Sequence, residues 1–292
     1  MSRNHLRLFL GMALLLCSTV YLANHVAKTS NENRFGLLLH ETRSEFSHIR
    51  IREKGSVRCL LFVDKNGKEQ RQSAINLAAP EENQLGYAKG LFSSFLFCHP
   101  QNRVLIVGLG GGGMVQYLNH AFPGMTVEAV EIDPVVVSLA AEYFKTVPGP
   151  KTVIHTKDAF AFFEEDRGGY DAIYMDAFLR PPADSELTEK TTRLKTDDFL
   201  KTLQSHLNPG GVVAFNLIER EAETPGNIAS IRRSFPGTFL FSVPNTGNLV
   251  VIGTNESPGP DLEVLRKRAV KLDETLVSAG LSFRSLAENL RP

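Results

Sequence analysis

The sequence predicts an α/β protein: a mostly parallel sheet with helices on both faces, preceded by a small antiparallel β module and an N-terminal hydrophobic segment. Three observations carry this. From residue 103 onward, short apolar strand-like segments alternate with helical ones, the pattern of βαβ units. Residues 35–80 instead hold closely spaced β-type segments with a hairpin signal. Between the two patterns stands RVLIVGLGGGGMVQYL (103–118), in which an apolar strand runs into five glycines in six positions and then into an amphipathic segment.

Each element follows in order. Arg3 and Arg7 precede Leu8–Ala23, an uncharged run of apolar and small residues that reads as a signal peptide or short membrane anchor. It is shorter than the roughly 20 residues of a comfortable span, it has no clean A-x-A cleavage site, and Leu16 before Cys17 argues against a lipoprotein site. Residues 24–34 are polar and read as a linker, so 1–30 form an address segment plus linker. A β module and connecting helix are expected over 31–98, with FSHIRIRE and SVRCLLFVD as strands and KNGKEQ as a turn. The Asn66-Gly67 pair in that turn is the hairpin signal. QLGYAKGLFSSFLFC (84–98) has apolar residues at helical spacing and reads as the connecting helix. Over 99–292 the expected strands are RVLIV, TVEAVEI, TVIHT, YDAIYMD, GVVAFNLI, GTFLFSV and NLVVIGT. Helices are expected at 134–145, 196–207 and 226–235, and a surface helix at 260–278.

Composition narrows the function. Lys+Arg and Asp+Glu are both 32, so the formal charge is zero, and no basic run interleaves with aromatics. That balance gives no reason to expect nucleic acid. Three scattered cysteines (Cys17, Cys59, Cys98) form neither a disulfide framework nor a zinc pattern, and no metal is expected.

In an α/β sheet the ligand sits at the carboxyl ends of the strands. A glycine loop there lets backbone approach a ligand, and the helix start behind it offers free N–H groups, so Gly108 and Gly110 are candidate nucleotide contacts. TVEAVEIDP ends in Glu131 and Asp133, about twenty residues further on, where an acid can bond ribose hydroxyls. Asp133 before Pro134 also suits a helix N-cap. Asp158 in KDAFAFF reaches an adenine amino group or caps a helix. Asp176, ending YDAIYMDAF, faces the reacting end of a ligand, with a loop-capping Asp as the plainer reading. Tyr174 on the same strand reads as core, and the histidines at 48, 99, 120, 155 and 206 read as structural.

Together, RVLIVGLGGGG, VEAVEIDP, KDAFAFF, YDAIYMDAF and LNPGGVVAFNL resemble the spermidine synthase (polyamine aminopropyltransferase) family and its methyltransferase-like relatives over about residues 35–256. The resemblance implies a Rossmann-like, seven-stranded methyltransferase-type sheet behind the β module. It implies that Gly108 and Gly110 form the nucleotide loop, that Glu131 binds ribose and Asp158 adenine, and that Asp176 lies by the acceptor amine as part of the catalytic machinery. Gln72 and Tyr87 match family positions near nucleotide and acceptor, where a surface Gln and a core Tyr are the plainer readings. A homodimer is also implied.

The chain departs from that pattern in three places. Gly111 stands where the family loop has Asp, Leu179 where a second Asp follows Asp176, and Ala88-Lys89 where His-Glu follows the tyrosine. Each charge-assisted bond lost to a diamine is worth about 1.5–3 kcal/mol.

The expected activity is therefore a spermidine synthase-like transferase, moving an aminopropyl group from decarboxylated S-adenosylmethionine to an amine acceptor, with small-molecule donor and acceptor as partners. The alternatives are an S-adenosylmethionine-dependent methyltransferase and a non-catalytic nucleotide-binding protein of the same fold. A nicotinamide dehydrogenase is weaker, because the helix start after Gly113 falls differently from G-x-G-x-x-G. Residues 8–23 predict a membrane-anchored or exported protein, possible membrane association included. The supply of an S-adenosyl donor favours a cytoplasm-facing domain, and the positive start, which itself stays inside, argues the other way.

Overall fold

A computed structural model describes residues 32–79, 86–177, 196–277 and 280–291. The apolar run 8–23 and Leu179 lie outside the described residues. Among the described residues no helix is long and apolar enough to cross a membrane.

Two sheets organise the chain. The first has five antiparallel strands in sequence order: β1 (Glu32–Asn33), β2 (Gly36–Arg43), β3 (His48–Lys54), β4 (Val57–Val63) and β5 (Glu69–Asn76). Sequence reading found β3 and β4 and missed the rest. GLLLHETR was not recognised as a strand, and Glu69 and Gln70 were placed in the turn. The turn is shorter, closing on Asp64, whose carboxylate accepts from Asn66 N and Lys68 N, both at 2.9 Å. Glu69 enters the strand because Arg50 (3.0 Å) and Arg52 (2.8 Å) neutralise it inside the module. A polar hexamer conceals such a pair.

The second sheet holds β6 (Arg103–Val107), β7 (Thr126–Glu131), β8 (Thr152–Thr156), β9 (Tyr170–Met175), β10 (Leu207–Ile218), β11 (Gly237–Ser242) and β12 (Asn248–Thr254). Their order is β11-β12-β10-β9-β6-β7-β8. β12 runs antiparallel to both neighbours, and the pairings from β10 to β8 are parallel. All seven predicted strands are present.

Strand faces explain the continuous apolar runs. Val104, Ile106, Tyr174, Ala214 and Ile252 pack on one side, with Phe92 and Phe95. Leu105, Val107, Ile173, Phe215 and Val251 pack on the other, with Phe163 and Phe199. A parallel sheet covered on both faces has no polar side to show. The predicted connecting helix is an α-helix over Gly86–Leu91 followed by a 3-10 turn over Phe92–Leu96. The predicted surface helix spans Leu262–Thr275; Leu265, Ala269 and Leu272 are buried, whereas Val264 and Val270 face solvent.

The β module is not a free appendage. Ile49, Ile51, Leu60 and Ile75 pack against Val136, Leu139 and Phe144 of the helix Pro134–Phe144. Ser44, after β2, donates to Asp133 at 2.5 Å. This docking brings β5 over the carboxyl edge of the large sheet.

Tyr174 is fully buried, as expected for core, and its hydroxyl donates to Gln101 Oε1 (2.6 Å) and contacts Ser94 Oγ (2.9 Å). Tyr174→Phe leaves both partners short of a bond, so it should cost about 1–3 kcal/mol, read as a lower urea midpoint with unchanged ligand binding.

Candidate active site

The chain leaves β6 toward β7 and β8 on one side, then returns through β9 to β10 on the other. The strand order therefore reverses between β6 and β9, and a crevice opens outside their carboxyl ends. A cleft of about 320 Å³ lies there. Its lining includes Gln72, Tyr87, Gly108, Gly110, Glu131, Asp158 and Asp176, so the structure brings every site residue predicted from sequence into one cavity.

The glycine loop crosses the seam between the two central strands. Gly108 has φ +101°, and a Cβ there would stand 2.6 Å from the backbone oxygen of Asp176. No other residue fits that approach. The helix Gly113–Ala121 starts just beyond, facing the cleft.

Glu131 ends β7 in a buried position. Its carboxylate accepts from Leu109 N (2.9 Å) and Asp133 N (3.1 Å), which holds the loop in place. Burial raises its pKa, and the backbone N–H groups oppose that rise. The Gly110 N–H also bonds this carboxylate, which still has a lone pair for a hydroxyl donor. Asp133 caps its helix, accepting from Val135 N at 2.9 Å. Asp158 likewise caps the helix Ala159–Glu165 through Phe160 N at 2.9 Å, and it also lines the cleft. The cap is formed, and it leaves Asp158 in the wall of the cleft.

Asp176 sits across the seam. Its Oδ1 accepts from Asn216 Nδ2 (2.8 Å), and its Oδ2 lies 3.2 Å from the Tyr87 hydroxyl. Burial pushes its pKa up to about 7, against the two hydrogen bonds that favour the ion. Burial and the adjacent Asp176 raise the Tyr87 phenol well above its ordinary value, so it remains a donor at neutral pH. The same hydroxyl also lies 3.3 Å from the Gln72 carbonyl.

Sequence reading missed Asn216 and Asn248. Asn248 Nδ2 donates to Asn216 Oδ1 at 2.9 Å, which orients the Asn216 amide toward Asp176. The signal was present: Asn216 interrupts the apolar run of β10, and buried polar residues need partners. Arg71 and Ser73, beside Gln72 on β5, also line the cleft.

The Gly111 departure has a steric basis. A Cβ on Gly111 would stand 2.7 Å from the Phe144 ring, and Thr146 Oγ1 fixes the Gly111 carbonyl at 2.8 Å. An aspartate at this position has no room while Phe144 occupies it. Among the described residues no cluster of three His, Cys, Asp or Glu side chains is placed to hold a metal.

Residues 85–244 match the spermine/spermidine synthase domain. The chain belongs to the spermine/spermidine synthase family. The polyamine aminopropyltransferase of Vibrio vulnificus (strain CMCP6) is 30% identical over 260 residues, covering 86% of this chain and 82% of that protein. A eEF1A lysine and N-terminal methyltransferase homolog of Drosophila pseudoobscura pseudoobscura is 28% identical over 172 residues, 57% of this chain and 25% of that one. The fold is shared with a probable spermidine synthase from Corynebacterium glutamicum ATCC 13032, with TM-score 0.63 and 18% identity, covering 79% of this chain and 86% of that one. It is also shared with human methyltransferase-like protein 13 in complex with SAH, with TM-score 0.57 and 23% identity, covering 66% and 93%.

The raised Asp176 pKa has a sign for stability in this family member. The folded state holds the proton more tightly than the unfolded chain, so that stabilisation is present below about pH 4 and is lost as pH rises through about 7. Asp176→Asn keeps an acceptor for Asn216 and removes the buried charge. Its urea midpoint should exceed the parent's at pH 8, and the gap should close by pH 4.

Proposed function

We propose that the protein transfers an aminopropyl group from decarboxylated S-adenosylmethionine to an amine acceptor, with Asp176 receiving the acceptor's proton. The observation that carries this reading is Asp176 itself: a carboxylate with its pKa raised to about 7, held by Asn216 and Tyr87 across the seam from the glycine loop. An amine attacks carbon only in its neutral form. A base whose pKa lies near the working pH removes the proton most effectively. In the step, the amine nitrogen bonds to the propyl carbon next to sulfur. The C–S bond breaks, its electron pair stays on sulfur, and neutral methylthioadenosine leaves. The acceptor's proton passes to Asp176. Glu131, Asp158 and the glycine loop bind and orient the nucleoside end. The name of the Vibrio vulnificus relative supports the same chemistry.

Methyl transfer from S-adenosylmethionine is the second reading. It is favoured by Gly111, where the family's loop carboxylate is replaced, and by methyltransferases among the relatives. The two readings separate on ligand preference. Decarboxylated donor and methylthioadenosine should raise the melting temperature, each ligand adding about 2.7 kcal/mol at a hundred times its dissociation constant. Preference for S-adenosylmethionine and S-adenosylhomocysteine transfers the assignment to methyl transfer. Binding of none overturns both.

Asp176→Asn should lower kcat by about 10²–10⁴-fold, and the parent's kcat/KM should rise with pH through about 7. The apolar run 8–23 supports a membrane-anchored or exported protein. Alkaline extraction of membranes retains an anchored chain and releases a cleaved one. The family resemblance supports a homodimer, which sedimentation velocity tests.

A further inference from the structure

The charges around Asp176 are not those a dicationic acceptor needs. Asp176 is the carboxylate at the Tyr87 end of the cleft, while Glu131, Asp133 and Asp158 are engaged by backbone N–H groups along β7 and the next helix starts. Gln72, Ser73, Asn216 and Asn248 surround the Tyr87 end with neutral polar groups.

A guanidinium is added to this wall. Arg71 lies on β5 directly before Gln72, lines the cleft, and is exposed at its mouth. Lys157, the other lining cation, is paired with Glu165 at 2.6 Å. Among the described residues Arg71 forms no ion pair with a carboxylate; it hydrogen-bonds the Cys59 thiol, and its charge also acts on the Tyr87 phenol. Tyr87 in turn lies 3.2 Å from Asp176. The Tyr87 end of the site therefore carries one carboxylate and one planar cation that has no carboxylate partner among the described residues. A guanidinium fork matches a carboxylate in shape and charge. It repels a second ammonium.

Building on the aminopropyl-transfer reading, we propose that Arg71 binds a carboxylate of the acceptor, so that the acceptor is a zwitterionic amino acid whose reacting amine faces Asp176, and not a diamine. A donor that keeps its methionyl carboxylate, as in the methyl-transfer reading, is the other source of such a group. The acceptor is favoured because the Arg71 charge acts on Tyr87, which bonds Asp176, and is not among the causes that act on Glu131.

The test compares two acceptors that differ only in the carboxylate, ornithine and 1,4-diaminobutane, with decarboxylated S-adenosylmethionine as donor and the full chain as enzyme. The parent should show kcat/KM at least tenfold higher for ornithine. Arg71→Gln should bring the ratio to about one, chiefly through KM for ornithine, and Arg71→Lys should keep part of it. Methylthioadenosine, which has no carboxylate, should stabilise parent and variants equally and so reports an intact donor site. Preference for the diamine, or an ornithine preference that survives in Arg71→Gln, overturns the proposal alone. A preference for S-adenosylhomocysteine over methylthioadenosine that disappears in Arg71→Gln assigns the carboxylate to the donor and overturns it too. No stabilisation of the parent by methylthioadenosine overturns the donor assignment, and the acceptor proposal with it.

Discussion

The close crossing of the glycine loop over the end of β9 is the constraint on which the site depends. Gly108 approaches the Asp176 carbonyl so nearly that a single methyl group would force the two apart. The crossing joins two halves of the chain that arrive from opposite directions of the sheet. One half carries Glu131 at the end of β7 and Asp158 just after β8; the other carries Asp176 just after β9 and Asn216 on β10. A misplacement of about 1 Å between reacting groups costs roughly a hundredfold in rate, so the spacing of the two halves matters. Here the backbone itself sets that separation, with side chains completing the walls.

The β module supplies the third wall, and it does so through packing. The cluster of Ile49, Ile51, Leu60 and Ile75 against Val136, Leu139 and Phe144 fixes β5 over the cleft. The same Phe144 ring excludes a side chain at Gly111. One aromatic residue thus both anchors the module and removes a carboxylate position from the loop. The electrostatic character of the acceptor end is partly a by-product of how the two sheets are joined.

Much of this was legible in the sequence where the physics is local. The seven strands of the large sheet are short apolar runs bounded by turn residues, and each is found where its pattern lies. Gly108 and Glu131 stood out by their places at strand ends, whereas Asp158 and Asp176 each had a capping use as well and were singled out by the family resemblance. Long-range pairing was not legible. Glu69 looks like a turn residue until Arg50 and Arg52 arrive from β3, and β2 has no marked alternation of its own. Asn216 was visible as an oddity, yet its role depends on Asn248, 32 positions away and brought alongside by antiparallel pairing.

The Tyr87 hydroxyl has two acceptors within reach, the Asp176 carboxylate and the Gln72 carbonyl, and only one hydrogen to give. While Asp176 is ionised, the hydrogen is drawn to it, and the strand carbonyl must find another donor or go without. A protonated Asp176 is the weaker acceptor, and the Gln72 carbonyl on β5 then competes better for the same hydrogen. The charge on Asp176 therefore bears on how firmly the helix that carries Tyr87 is held to β5.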